Sequence, residues 1–156
     1  MALLAAAALA VTATACGGGG GSPSAAASSG GGGGDATSVD ITLQEWAVVV
    51  GSESAPAGQV TFNITNDGPE DVHEFVIFRT DLDPGSLPTD EHGAVDEEGE
   101  GLEVIDEVED VAVGATEQLT VDMDPGSYVL VCNIYSEDED EAHYQMGMRS
   151  PFEVTD

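Results

Sequence analysis

The segment that decides the fold class is Val60-Thr61-Phe62-Asn63-Ile64-Thr65, in which apolar and polar residues alternate strictly. Successive side chains of a β-strand point to opposite faces of the sheet, so this alternation predicts a strand with one buried and one solvated face. The same period of two recurs along the second half of the chain, at 39–43, 46–50, 119–123, 128–132 and 152–154.

The apolar positions change phase once, near Gln44-Glu45. Before this point they are Val39, Ile41 and Leu43, and after it they are the even-numbered residues from Trp46 to Val50. A one-residue shift moves the apolar side chains to the other face of a continuous strand. The shift therefore predicts a bulge or bend at this point.

Turn-forming residues separate these segments, at 56–58, 66–69, 83–85 and 124–126. From Ser38 to the end of the chain, no apolar stripe with a helical period is sustained. About seven short strands in one domain predict an all-β fold, a β-sandwich or Greek-key barrel. The acidic, Gly- and Pro-rich stretch 83–101 is predicted to be a long loop or short helix over one end.

The charge of the chain excludes several functions. Its 156 residues include 31 acidic and only 2 basic ones, giving a formal net charge of −29. Nucleic acid binding requires clustered Lys and Arg, as does direct attraction to an anionic bilayer, so neither is expected. The complete lack of lysine favours adaptation to high salt, which screens self-repulsion. The alternative is a solvated acidic surface in an ordinary medium.

The first fifteen residues are predicted to be an export signal. The apolar run 2–11 is shorter than the roughly 20 residues that span a bilayer, and small residues precede Cys16. Ala13-Thr14-Ala15-Cys16 resembles the lipobox of bacterial lipoproteins, which implies that Cys16 is acylated and begins the mature protein. The alternative is simple signal cleavage, with a free Cys16 thiol and a secreted product.

A Gly- and Ser-rich segment follows Cys16. We interpret residues 16–37 as the lipidated cysteine and a flexible, disordered tether with a reach of about 25 Å. Residues 38–156 are then one domain, too short for two cores. The protein is expected outside the cytoplasm, held at the membrane by its lipid anchor.

Four residues in the domain form a candidate metal site. His73 lies in the apolar segment 72–78, Cys132 ends the strand 128–132, and His143 and Met148 precede the last strand. Two imidazoles, one thiolate and one thioether are the ligands expected for a mononuclear electron-transfer copper. Met146 is an alternative axial ligand.

Other candidate sites are weaker. His92, in the acidic loop, is predicted to be a solvated residue. The acidic runs 96–98 and 137–141 are predicted to be solvated as well, since their spacing does not match a calcium-binding EF-hand loop.

The segment 128–134, with His143-Tyr144, Gly147-Met148 and 152–154, resembles the carboxy-terminal copper loop of cupredoxins. The segment 72–75 and the turn 125–128 are similar to a plastocyanin-like bacterial subgroup. The resemblance spans the whole domain and implies a Greek-key β-sandwich with one type 1 copper. In it, His73 and His143 would be imidazole ligands, Cys132 the thiolate and Met148 the axial thioether.

Two features depart from the family pattern. Ten residues separate Cys132 from His143, where the family loop is usually much shorter, and 135–142 is an acidic insertion. Such an insertion can loop outward without moving the ligands, because loop-closure cost grows slowly with length, or it can slacken the site. Glu74 follows the first histidine, where many blue copper proteins have an asparagine that pins the copper loop.

These observations predict a monomeric one-electron carrier with a single copper. The sequence has no Ser-His-Asp order, HExxH motif or phosphate loop, nor the second set of histidines of a multicopper oxidase, so no enzyme activity is expected. The resemblance implies that His143 presents its edge to a redox partner. The acidic insertion would then select a basic docking surface. The alternatives are a copper-binding module for copper handling or delivery, and a metal-free tethered interaction domain.

Overall fold

The computed structural model describes residues 36–156, which contain eleven strands and one short helix. The predicted signal segment, Cys16 and the tether as far as residue 35 lie outside the described residues. Between residues 36 and 156 no helix is long and apolar enough to cross a membrane. The elements are β1 (Thr37–Gln44), β2 (Ala47–Val50), β3 (Ser54–Pro56), β4 (Gly58–Asn66), β5 (His73–Arg79), β6 (Glu103–Val111), β7 (Thr116–Met123), β8 (Gly126–Val131), β9 (Tyr135–Ser136), β10 (Glu141–Ala142), α1 (His143–Met146) and β11 (Arg149–Thr155).

Two sheets form a β-sandwich, and both mix parallel with antiparallel pairing. One has the order β2-β1-β4-β7, with β1 parallel to β4, and the other has the order β3-β11-β8-β5-β6, with β3 parallel to β11. β9 and β10 form a small separate hairpin. The all-β sandwich predicted from the alternating segments is confirmed.

The core lies between the sheets and contains the predicted alternating residues. The Phe62 ring is fully buried, with its centroid 5.4 Å from that of Phe75 and 5.6 Å from that of Phe152. This aromatic cluster joins β4 of one sheet to β5 and β11 of the other. Burying each such side chain contributes about 1.5–3 kcal/mol, so the cluster is a principal link between the layers.

The stretch predicted to cover one end of the domain instead covers a face. Residues 83–101 form a loop with one isolated bridge, Thr89 to Val95, and no helix. Leu87 and Val95 in this loop are buried with side chains on the outer face of the second sheet, including Val76 and Phe78. β5 is therefore buried on both faces, which is why the run 75–78 is apolar without alternation.

The phase change near Gln44-Glu45 is a chain reversal, and the prediction of a bulge or bend within one strand was wrong. β1 and β2 are antiparallel neighbours, with Gln44 paired to Ala47 across a two-residue turn. Since the chain turns back there, the buried positions need not keep the same parity on both sides. The turn residues Glu45 and Trp46 lie beside the candidate metal site described below.

Strand β6 was not predicted from the sequence. Five of its nine residues are acidic, and it lies at the exposed edge of the second sheet. Register irregularities in its pairing with β5 also disturb any period of two. Acidic side chains on an edge strand discourage pairing with another chain, but they hide the strand from a hydrophobic pattern.

Candidate metal centre

Three of the predicted ligands meet at one end of the sandwich. His73 is the first residue of β5, Cys132 follows the last residue of β8, and His143 is the first residue of α1. β5 and β8 are antiparallel neighbours, so the start of one lies beside the end of the other. All three side chains are buried, His73 and Cys132 completely.

The donor atoms form a compact triangle. Nδ1 of His73 lies 3.3 Å from Nδ1 of His143, and Cys132 Sγ lies 3.7 Å and 3.4 Å from these two nitrogens. Nitrogen and sulfur ligands about 2.0–2.3 Å from a common centre and about 120° apart would be separated by about 3.5–3.8 Å. The triangle has nearly this size, and with one soft thiolate and two imidazoles it fits a single type 1 copper site.

The two imidazoles are in the protonation state that metal binding requires, whereas the thiol must lose a proton. Burial lowers the pKa of both His73 and His143, and for His73 the neighbouring His143 lowers it further, so both imidazoles are neutral near pH 7. Burial raises the pKa of the Cys132 thiol to about 11, so the metal-free site holds a protonated thiol. A metal ion would displace that proton, because only the thiolate is a good ligand.

The copper loop is pinned without an asparagine after the first histidine. The backbone N–H of Glu74 donates to Cys132 Sγ at 3.3 Å. Asn133, directly after the cysteine, accepts from the backbone N–H of Val95 at 2.6 Å and donates to its carbonyl at 3.1 Å. Asn133 therefore ties the loop that carries Cys132 to the long loop over the second sheet.

Asn66 holds the segment that leads to His73. Its buried side-chain amide donates to the carbonyls of Asp71 and Val111, both at 2.8 Å, and accepts from the N–H of Gly68 at 2.9 Å. Neither asparagine was singled out from the sequence. Only the position of Asn133 next to the cysteine could have indicated its role.

The two methionines are placed differently. Met148 is fully buried in the core, whereas Met146 is 42% exposed. The backbone of Met148 accepts from Cys132 N–H at 3.0 Å and donates to the His143 carbonyl at 3.1 Å. Met148 is thereby held next to two members of the triangle.

The acidic insertion loops outward from the site. β9 and β10 form its stem, and the Tyr135 hydroxyl donates to Asp140 at 2.6 Å. At its base the N–H of His143 donates to the carbonyl of Ile134 at 2.9 Å. Because this bond closes the base, the extra length does not separate Cys132 from His143.

His143 is almost fully enclosed. It is only 2% exposed, and the ring of Trp46 packs edge-on against it with centroids 4.9 Å apart. His143 reaches the surface at a shallow cleft that is also lined by Asp71, Val72, Asp110, Ile134 and Ser136. His143 therefore meets solvent through this cleft, and its presentation to a redox partner stays a prediction.

The remaining sequence candidates lie elsewhere. His92 is outside the triangle, with its ring 4.6 Å from that of Tyr135 and its Nε2 3.7 Å from Glu91. Cys16 is outside the described residues, and its acylation stays a prediction.

Glu74 makes the stability of the metal-free protein depend on pH. Burial, and after it the nearby carboxylates of Glu107, Glu97 and Glu109, together raise the pKa of Glu74 to about 7. The folded state holds this proton more tightly than the unfolded state does, so stability falls as pH rises from about 4.5 to 7. Glu74→Gln is expected to flatten this pH dependence and to raise the midpoint of urea unfolding at pH 8. Glu117→Gln, at an exposed position of β7, should leave the pH dependence unchanged. An equal pH slope in wild type and Glu74→Gln would contradict this assignment.

The fold is shared with known blue copper proteins. One similar structure is a dithionite-reduced auracyanin from Roseiflexus castenholzii, with 22% sequence identity and a TM-score of 0.55 over 79% of this chain and 100% of that one. Another is auracyanin A from Chloroflexus aurantiacus, a "blue" copper protein, with 15% identity and a TM-score of 0.52 over 78% of this chain and 100% of that one. Rusticyanin from Thiobacillus ferrooxidans is also similar, with 15% identity and a TM-score of 0.51 over 78% of this chain and 79% of that one. No protein-family model matches the chain, and neither does any curated protein. At these identities the likeness establishes the fold.

Proposed function

We propose that this chain, a β-sandwich with the cupredoxin fold, is a mononuclear copper protein that carries single electrons outside the cytoplasm. The observation that carries the proposal is the buried triangle of His73, Cys132 and His143. Copper, when bound, supplies one-electron chemistry between Cu(I) and Cu(II).

Each residue has a distinct task in the proposed site. His73 and His143 offer neutral Nδ1 atoms, and Cys132 offers the thiolate that favours copper. Met148 would supply the thioether, because it is fully buried and its backbone is hydrogen-bonded to Cys132 and His143, whereas Met146 is at the surface. The surrounding strands exclude water and hold the donors at fixed separations, which keeps the rearrangement between oxidation states small.

The proposal includes a membrane anchor. Acylation of Cys16 would hold the protein at the outer side of the cell membrane, and the segment up to residue 35 would let the domain reach a partner. The domain itself is proposed to act as a monomeric carrier, not as an enzyme. Mass spectrometry of the purified full-length protein would detect the acyl chains on Cys16.

A copper titration tests the function. One equivalent of Cu(II), added to the metal-free protein in high salt, is expected to give an intense visible thiolate-to-copper band that ascorbate bleaches and reoxidation restores. Copper that binds but dissociates readily, with a low potential, would indicate copper handling or delivery instead. No binding at all would leave a tethered interaction domain.

The acidic insertion is proposed to attract a positively charged partner. The hairpin of β9 and β10 carries five consecutive acidic residues, 137–141, and its base adjoins His143. Clustered charge raises the association rate of an oppositely charged partner more than it changes the energetics of the buried site.

Neutralising residues 137–141 to Gln and Asn is expected to slow reduction of the Cu(II) protein by hexaammineruthenium(II), a cationic reductant, by about tenfold at low salt. The reduction potential should change little, and the difference in rate should shrink at high salt. The matched control neutralises five acidic residues near the opposite end of the sandwich, Glu53, Asp122, Asp124, Glu153 and Asp156. Equal slowing by both variants would remove the insertion from docking and leave only the effect of net charge.

A further inference from the structure

The second nitrogen of His73 faces a carboxylate that the copper site does not use directly. His73 Nε2 lies 3.9 Å from Oε1 of Glu45, a residue of the turn between β1 and β2. Among residues 36–156, only two buried side-chain nitrogen or oxygen atoms have no hydrogen-bond partner, and they are His73 Nε2 and Glu45 Oε2. Both unpaired atoms thus belong to one pair of neighbouring side chains, behind a predicted metal ligand, with Oε1 as the carboxylate oxygen in contact with Nε2.

We propose that Glu45 is a positioning residue that accepts a hydrogen bond from the Nε2–H of His73 and so directs its Nδ1 toward the metal. This inference rests on the proposed copper site and adds a residue to it. It concerns which nitrogen of His73 carries the proton and how firmly the ring is held.

The triangle itself determines the required tautomer. Nδ1 of His73 faces His143 and Cys132, so its lone pair must be free for a metal and the ring proton must be on Nε2. Burying an N–H without an acceptor is unfavourable, because the group loses its hydrogen bonds to water. Glu45 supplies the acceptor, and carboxylates commonly hold metal-binding histidines in this way.

The carboxylate is held in place for this role. Glu45 Oε1 accepts from the backbone N–H of Asp71 at 2.9 Å and more weakly from that of Glu70 at 3.3 Å. Burial acts to raise the pKa of Glu45, but these backbone hydrogen bonds outweigh it and the pKa lies below its usual range. The side chain is therefore an anchored anion with only 12% exposure.

The backbone leaves space for this carboxylate at Gly68. A Cβ atom at Gly68 would lie 2.7 Å from both carboxylate oxygens of Glu45, so a side chain there would displace them. The gap of 3.9 Å between Glu45 and His73 exceeds a hydrogen bond and is too short for a bridging water. A shift of about 1 Å by either side chain closes it.

An anion at this distance affects both affinity and potential. It makes the imidazole a stronger donor to the metal and favours Cu(II) over Cu(I). Glu45→Gln is expected to weaken Cu(II) binding by about 10–100-fold, as loss of an outer partner of a metal-binding histidine typically does. If Cu(I) binding is unaffected, each tenfold loss raises the one-electron potential by about 59 mV.

The experiment compares Glu45→Gln with Glu70→Gln. Glu70 is exposed and lies three positions before His73. Its replacement by Gln removes one negative charge, as Glu45→Gln does, but keeps the Glu70 backbone N–H that donates to Glu45. Cu(II) affinity by chelator competition and the reduction potential are measured for both. If the Cu(II) affinity of Glu45→Gln lies within twofold of that of Glu70→Gln, the positioning role is overturned.

A second measurement needs no copper and no variant. In the metal-free wild-type protein, ¹H–¹⁵N correlation of the imidazole nitrogens is expected to show the His73 proton on Nε2. A proton on Nδ1 would overturn the proposal even if Glu45→Gln failed to fold. If instead the tautomer is as expected and no copper binds, the proposed function fails while the hydrogen bond stands.

Discussion

Replacing Cys132 by serine is expected to abolish the intense visible band of the copper-loaded protein. The band arises from charge transfer between the thiolate and copper, and Cys132 is the only cysteine in the described residues. Serine has nearly the same size, but its hydroxyl does not ionise near pH 7 and is not a soft ligand for copper. Weak Cu(II) binding by the two histidines can persist in the variant without this band.

The control for this prediction is Met146→Leu. Met146 follows the helix start at His143 but is exposed, so its replacement should leave the intense band and the potential essentially unchanged. Far-UV circular dichroism establishes that each variant is folded. An undiminished band in folded Cys132→Ser would rule out the thiolate as the source of the band and would contradict the proposed copper site.

Removing the Phe62 ring is expected to cost about 3–5 kcal/mol of unfolding free energy, as is typical of a buried Phe→Ala change. Phe62 is fully buried and contacts Phe75 and Phe152 across the sandwich. Its loss opens a cavity at the junction of the two sheets, which the strands on either side cannot close without moving. Urea unfolding of the metal-free protein in high salt measures the effect.

Val49→Ala is the matched control for Phe62→Ala. Val49 is 46% exposed on β2, and truncating it should change the free energy of unfolding by no more than about 0.5 kcal/mol. A cost below about 1 kcal/mol for Phe62→Ala would mean that the two layers do not depend on the aromatic cluster. The copper band of folded Phe62→Ala should persist, because the ring is not a ligand.

The alternating segments were predictable because a half-buried strand imposes its period locally. Val60, Phe62 and Ile64 are all fully buried in β4, as their spacing predicts. The ligand types were predictable too, since thiolate and imidazole have chemical preferences that do not depend on their surroundings. The structure then brings His73, Cys132 and His143 together.

Local patterns were misleading where segments far away in the sequence determine which residues are buried. Strand β6 is acidic because it is an edge, and the loop 83–101 packs on the outer face of the second sheet and not over one end of the domain. The phase change at Gln44 looked like a bend, but pairing of β2 with β1 makes it a reversal. In each case the deciding partner is in another segment.

The fold class, the chemical identity of the candidate ligands and the acidic surface could be predicted, because they depend on residue type and short-range spacing. The surroundings of the ligands depend instead on how distant segments pack. Glu45 lies 28 positions before His73, and they meet because β1 runs parallel to β4, with Leu43 beside Asn66. The hydrogen bonds and burial around a site are properties of nonlocal packing, which no local pattern encodes.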